Sequence, residues 1–116
     1  MLSVTPGQRI WLCTQPTDMR RSFDGLSAQV RNYLGADPTN GEWYVFINRR
    51  RTQIKLLAFE PGGYCVWSQR LEQGQFATLG RIEDGKSLLR QTEFLALLEG
   101  VDVEIKRQRK RYRIAA

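Results

Sequence analysis

The sequence predicts a single small α+β domain in which an antiparallel sheet of about four to five strands carries one main and one short helix. Its 116 residues fit one domain. Several segments alternate apolar and polar residues as strands do, and one longer segment repeats apolar residues at helical spacing. With 41% hydrophobic and 26% charged residues, the composition is that of a globular protein.

The first two predicted elements are a strand over residues 9–13 and the main helix. Pro16 ends the strand, and Thr17 or Asp18 can cap the helix. Gly35 is placed to stop it. We expect Phe23, Leu26 and Val30 to be buried on the apolar face of the helix. The full face is spaced by three and four residues and comprises Met19, Phe23, Leu26, Val30, Tyr33 and Leu34.

Three strands are predicted next, over residues 42–48, 53–60 and 63–71. Trp43, Val45 and Ile47 alternate with Tyr44 and Phe46, so the two sets lie on opposite faces. Alternation favours core packing for the aromatics of these strands. The less favoured alternative is an open face of Tyr44, Phe46 and Phe59 that resembles a base-stacking surface.

The second hairpin turn fixes a register. Pro61 and Gly62 suit the central positions of a type II turn. If Phe59 faces Tyr64, then Arg70 lies at the same end of the sheet as the arginine turn at residues 49–51.

The C-terminal part is predicted to be mostly irregular over residues 74–91. Thr92 can then cap a short helix that ends at Gly100. Residues 101–105 alternate as a last strand, which closes a domain over residues 1–105. Residues 106–116 form a basic C-terminal tail.

The net charge of +6 is unevenly placed. Residues 1–48 hold four Arg against four Asp or Glu, whereas the rest of the chain holds fourteen Lys or Arg against eight Asp or Glu. This asymmetry predicts a polyanionic partner, nucleic acid before an anionic membrane surface. The alternatives are that the basic tail is simply solvated and that the arginine turn only keeps the hairpin tip soluble. The candidate phosphate contacts are Arg49, Arg50, Arg51, Lys55, Arg70, Lys106, Arg107, Arg109, Lys110, Arg111 and Arg113.

No catalytic constellation is evident in the sequence. Histidine is absent, which removes the commonest general base and metal ligand. Cys13 and Cys65 are far apart and read as reduced thiols. We therefore expect no cofactor, no metal and no enzymatic activity. The N-terminus lacks a signal pattern and no apolar run is long enough to span a bilayer, so a cytoplasmic protein without a membrane partner is expected.

Four blocks of the sequence resemble a known family. They are residues 16–26 (PTDMRRSFDGL), residues 46–51 (FINRRR) followed by Lys55, residues 70–76 (RLEQGQF) and residues 97–102 (LLEGVD). In order and spacing they resemble the accessory protein encoded by the second open reading frame of insertion-sequence-66-type transposable elements.

The resemblance implies support of transposition beside a larger transposase, and it favours DNA as the polyanion. Two functions follow as alternatives. The first is binding of DNA through the arginine turn and the tail. The second is an adaptor that docks on the transposase through the main helix, whose exposed arginines are expected to be Arg20, Arg21 and Arg31. A nuclease that uses dispersed acids is the least favoured alternative.

Overall fold

The computed structural model describes residues 4–76 and 85–99, and it confirms an α+β domain. These residues form a five-stranded sheet with two helices. In chain order the elements are β1 (Ile10–Cys13), α1 (Phe23–Asn32), β2 (Trp43–Ile47), β3 (Gln53–Glu60), β4 (Gly63–Arg70), β5 (Lys86–Leu89) and α2 (Gln91–Glu99). The strand order across the sheet is β4-β3-β2-β1-β5.

The hairpin register predicted from the sequence is confirmed. Phe59 pairs with Tyr64, and Gln53 pairs with Arg70. Gly62 adopts φ 97°, the positive value that the third position of a type II turn requires. The turn chemistry therefore fixed which residues of β3 and β4 share a face.

The position of β1 was not predicted. It pairs with β2 in parallel and with β5 antiparallel, so the sheet is mostly but not wholly antiparallel. A parallel pair needs a crossover, and α1 supplies it. The expectation that residues 74–91 are irregular is wrong at β5, a four-residue strand too short for its alternation to be conspicuous.

The sheet separates two apolar layers, because alternate side chains point to opposite faces. On one face, Val45, Ile54 and Leu56 pack with Phe94 and Leu97 of α2. We call this the α2 face. On the other, the α1 face, α1 covers Tyr44, Phe46 and Leu57. Tyr44 and Phe46 are fully buried, so the open base-stacking surface considered from the sequence is wrong.

Helix α1 is shorter than its apolar periodicity predicts. The backbone N–H of Arg20 donates to the Asp18 carboxylate at 2.9 Å, so the residues before Ser22 form a turn rather than helix. Leu26 and Val30 are buried as predicted. The prediction that Phe23 is buried is wrong: it stands in the first helical turn and is 46% exposed.

Two predictions concern residues outside the described ranges. These are the last strand at residues 101–105 and the basic tail at residues 106–116. The boundary between them stays a prediction.

Candidate nucleic-acid interface

The arginine turn between β2 and β3 is organised by Asn48. Its carboxamide oxygen accepts the backbone N–H groups of Thr52 at 2.9 Å and Gln53 at 3.0 Å. Its amide donates to the Thr52 hydroxyl at 3.1 Å. One side chain therefore replaces backbone bonds that a four-residue loop cannot make, as asparagine does in tight turns.

Arg51 joins this turn to the segment that follows β4. Its φ of 58° is a left-handed conformation that costs a non-glycine residue about 1 kcal/mol. Its backbone oxygen accepts the N–H of Phe76 at 2.7 Å, and its guanidinium donates to the Phe76 carbonyl. Phe76 is fully buried. The turn is thus fixed to the core, while Arg49 and Arg50 remain exposed.

Lys55 ties the same end of the sheet to the segment that leads into α1. It lies on the α1 face of β3, and its ammonium donates to the backbone oxygen of Arg21 at 2.7 Å. Thr17 of the same segment donates its N–H to the carbonyl of Ile47, the last residue of β2, at 3.0 Å. Residues 17–21 are therefore held beside the arginine turn.

Gln29 of α1 holds this segment from the other side. Its amide donates to the Thr17 hydroxyl at 3.1 Å and to the Cys13 sulfur at 3.4 Å. Its oxygen accepts the guanidinium of Arg21 at 2.7 Å. Between the segment and α1 lies an open cleft of about 540 Å³, with Gln29, Arg21 and Tyr33 in its lining.

Arg20 is paired with Asp18 within the same segment. The guanidinium donates to both carboxylate oxygens, the shortest contact being 2.7 Å. These side-chain hydrogen bonds hold the pKa of the Asp18 carboxyl well below its usual range and raise the pKa of Arg20. The pair therefore stays ionised, and part of the Arg20 charge is offset locally.

Basic residues from four chain segments consequently meet at one end of the sheet. Lys86, at the start of β5, was not predicted as a site residue, because β5 itself was missed. It pairs with Cys13 at this end, and its ammonium lies 4.2 Å from the centre of the Trp11 ring. We call this surface the basic end and define it by Arg20, Arg21, Arg49, Arg50, Arg51, Lys55, Arg70 and Lys86.

Arg31 does not belong to the basic end. It lies in the last turn of α1 and donates to the Tyr64 hydroxyl at 3.2 Å. Tyr64 in turn stacks on Phe23, with ring centres 6.4 Å apart. The three arginines predicted as a partner interface are thus divided between the basic end and the last turn of α1.

Three acidic side chains lie at the opposite end of the sheet. Glu42 precedes β2 and forms an ion pair with Arg9 at 3.3 Å. Glu60 ends β3, and Asp37 lies in the loop before β2. We call Asp37, Glu42 and Glu60 the acidic end. Basic side chains are therefore concentrated at one end of the strands, and the acidic end lies at the other.

Among residues 4–76 and 85–99, no three His, Cys, Asp or Glu side chains are grouped closely enough to hold a metal ion. Within the same ranges no helix has the length and apolar character needed to cross a bilayer. Contact of the tail with nucleic acid stays a prediction, since residues 106–113 are not described.

The fold and the basic end define a small α+β protein with basic side chains gathered at one end of its sheet. Residues 8–108 match the family described as "IS66 Orf2 like protein". The chain belongs to this family, as its four sequence blocks predict. Membership associates it with transposition of IS66-type elements as an accessory protein.

Two curated relatives come from Sinorhizobium fredii strain NGR234. "Uncharacterized protein y4jC" is 33% identical over 102 residues, which cover 88% of this chain and 86% of the relative. "Uncharacterized protein y4hO" is 30% identical over 102 residues, covering 88% of each chain. No solved structure matches the chain.

Proposed function

We propose that this protein is a DNA-binding accessory factor in transposition, acting in the cytoplasm without a catalytic centre of its own. The observation that carries the proposal is the basic end, where the exposed Arg49 and Arg50 lie at the same end of the sheet as Arg20, Arg21 and Arg70. DNA attracts such a surface through its phosphates. The resemblance of the chain to a transposition family makes DNA the expected polyanion.

The chemistry of the basic end favours backbone contact over base reading. Guanidiniums bind phosphate oxygens as two-pronged donors. The described helices do not present a basic face suited to a major groove, since α1 has Arg31 as its one basic residue and α2 has none. We therefore expect binding with weak sequence preference and strong salt dependence.

Arg49 and Arg50 are the sharpest residues to test. The variant Arg49→Ala/Arg50→Ala should weaken binding to duplex DNA, and it should make the slope of log affinity against log salt shallower by about 2. Arg51 is left intact, because it also positions Phe76. The measurement is fluorescence anisotropy across a salt series.

The matched control is Arg9→Ala/Arg31→Ala, which removes two arginines outside the basic end. It should leave the slope nearly unchanged. A third variant that lacks residues 106–116 measures the contribution of the tail, which carries six further basic groups. If the two arginine pairs have equal effects, the DNA contact is not localised at the basic end and the proposal fails.

A second candidate function is docking on the transposase through α1. The observation that favours it is the exposure of two aromatics on this helix and its C-cap: Phe23 is 46% and Tyr33 is 48% exposed. Exposed aromatics of this kind often mark protein interfaces. Arg20, Arg21 and Arg31 would then be rim residues.

Phe23→Ala tests the adaptor function. Because Phe23 is half exposed, we expect a loss of about 1 kcal/mol in stability, below the 3–5 kcal/mol typical of a buried phenylalanine. Capture of the transposase by the variant should fall, whereas Leu88→Ala, which truncates a residue 38% exposed on β5, should leave capture intact. Equal capture by both variants contradicts docking through α1.

A further inference from the structure

Strand β4 is an edge of the sheet within the described residues, and it is one of the two longest strands. The direction of its backbone groups can be deduced from two hydrogen bonds. Leu71, the residue after β4, donates its N–H to the carbonyl of Thr52, the residue before β3, at 2.8 Å. Gln53 directs its own N–H and carbonyl toward Asn48. In an antiparallel ladder these directions alternate. The outward residues of β4 are therefore Tyr64, Val66, Ser68 and Arg70.

The residues of β4 themselves lack the devices that usually block strand addition. Such devices are short length, proline, bulges and charged side chains in the middle of the edge. From Gly63 to Gln69, β4 contains no proline and no charged residue. The other edge, β5, has only four residues and begins at Lys86. Among residues 4–76 and 85–99, the long unprotected row of donors and acceptors is thus that of β4.

We propose that β4 pairs antiparallel with β4 of a second copy of this chain, joining two sheets into one of ten strands. The argument for a second copy is charge complementarity. Each β4 begins beside Glu60 at the acidic end and finishes with Arg70 at the basic end. Antiparallel pairing lays the two ends against each other, whereas parallel pairing would align basic end with basic end. This inference does not depend on DNA binding.

The outward residues select one register. Pairing Tyr64 with Arg70 and Val66 with Ser68 of the second copy engages all four outward residues of each strand. A shift by two residues in either direction leaves one outward residue of each strand without a partner. The register that completes the ladder therefore places the two-fold axis at Trp67.

This register also brings compatible side chains next to each other across the two strands. The two Trp67 residues face each other in a non-hydrogen-bonded pair, where side chains approach most closely. On the α1 face, Arg70 lies beside Tyr64 of the second copy, close enough for a cation–π contact. An interface built from one strand is small, so we expect a dissociation constant in the micromolar range.

Sedimentation velocity over a range of micromolar concentrations tests the dimer directly. Ser68→Pro removes one outward N–H from each copy without removing a bond to β3, and proline is tolerated on an edge. It should weaken dimerisation by about thirtyfold, equivalent to two hydrogen bonds of about 1 kcal/mol each. Ser68→Ala, the matched control, should dimerise as the parent does.

Gln69→Cys tests the register without relying on Ser68→Pro. In the proposed pairing, position 69 faces Cys65 of the second copy, and Cys65 is an exposed free thiol. Oxidised glutathione should then produce a covalent dimer with two symmetric disulfides. Within one chain, residues 65 and 69 lie on the same strand too far apart to bridge. Ser68→Cys faces Val66 and should yield little covalent dimer.

Three results would overturn the proposal. One is a parent protein that stays monomeric throughout the concentration range. Another is a dimer that Ser68→Pro leaves intact or that Gln69→Cys does not crosslink. The third is a monomer that Ser68→Pro strongly destabilises, which would mean that another segment of the same chain, such as residues 101–105, covers β4.

Discussion

The two turns that bracket β3 solve the same geometric problem in different ways. The turn at Pro61 and Gly62 relies on local backbone preference, and its residues are exposed. The arginine turn, in contrast, depends on the Asn48 side chain and on contacts between Arg51 and the distant Phe76. Contacts with a distant residue restrict which side chains the arginine turn can carry, and they make its backbone more rigid. The difference teaches that the turn carrying the exposed arginines is the one the fold holds in place.

The largest effect is expected at Phe76. Phe76→Ala removes a fully buried ring and the apolar support of the arginine turn, so the free energy of unfolding should fall by about 3–5 kcal/mol. Phe59→Ala, beside the other turn, removes a ring that is 36% exposed and should cost much less. Urea unfolding measures both. Similar losses would break the contrast between the turns.

The second effect concerns Asn48. Asn48→Ala eliminates three hydrogen bonds within the arginine turn and should cost about 2–3 kcal/mol. Asn48→Asp preserves both acceptor bonds and should lose less. Thermal unfolding followed by circular dichroism ranks the two variants. If Asn48→Ala lost less stability than Asn48→Asp, water would be replacing the missing carboxamide oxygen.

The third effect concerns the Pro61 and Gly62 turn. No atom lies within 4 Å of a Cβ built at Gly62, so Gly62→Ala isolates the cost of its φ of 97°. We expect a loss of about 1–2 kcal/mol. Gly62→Asn should be milder, since asparagine tolerates left-handed backbone. An unchanged midpoint for Gly62→Ala in urea would mean that the turn relaxes to another type.

The smallest effect is expected for the exposed arginines. Arg49→Ala/Arg50→Ala should change the free energy of unfolding by no more than about 0.5 kcal/mol, as surface substitutions do. Differential scanning calorimetry on this variant and on the parent provides the comparison. A large loss would indicate that these side chains support the fold, and it would complicate any use of the variant in DNA binding.

The hairpins could be predicted from sequence because their information is local. Pro61 and Gly62 define the turn, and alternation defines the faces, so the pairing of Phe59 with Tyr64 followed. The burial of Phe23 was predicted wrongly, because the helical spacing of apolar residues begins at Met19, upstream of the first residue of α1. There the hydrogen bonds between Asp18 and Arg20 favour a turn instead.

Only some of the residues that form the basic end could be placed together from the sequence. Arg70 was placed beside the arginine turn by register alone. The approach of Arg21 to Lys55 depends on the parallel pairing of β1 and β2, which brings residues 17–21 to the end of β2. No local pattern encodes that pairing. Lys86 was missed for the same reason, since β5 is recognisable only once β1 is in place.

The interior position of β1 has a consequence for synthesis. Its two neighbours in the sheet, β2 and β5, begin at Trp43 and Lys86. As the chain leaves the ribosome, β2, β3 and β4 can form a meander while one side of β1 remains open. That side closes only after residues 86–89 emerge. We expect such non-local closure to be the slow step of folding, with the nascent chain exposed to wrong strand partners until then.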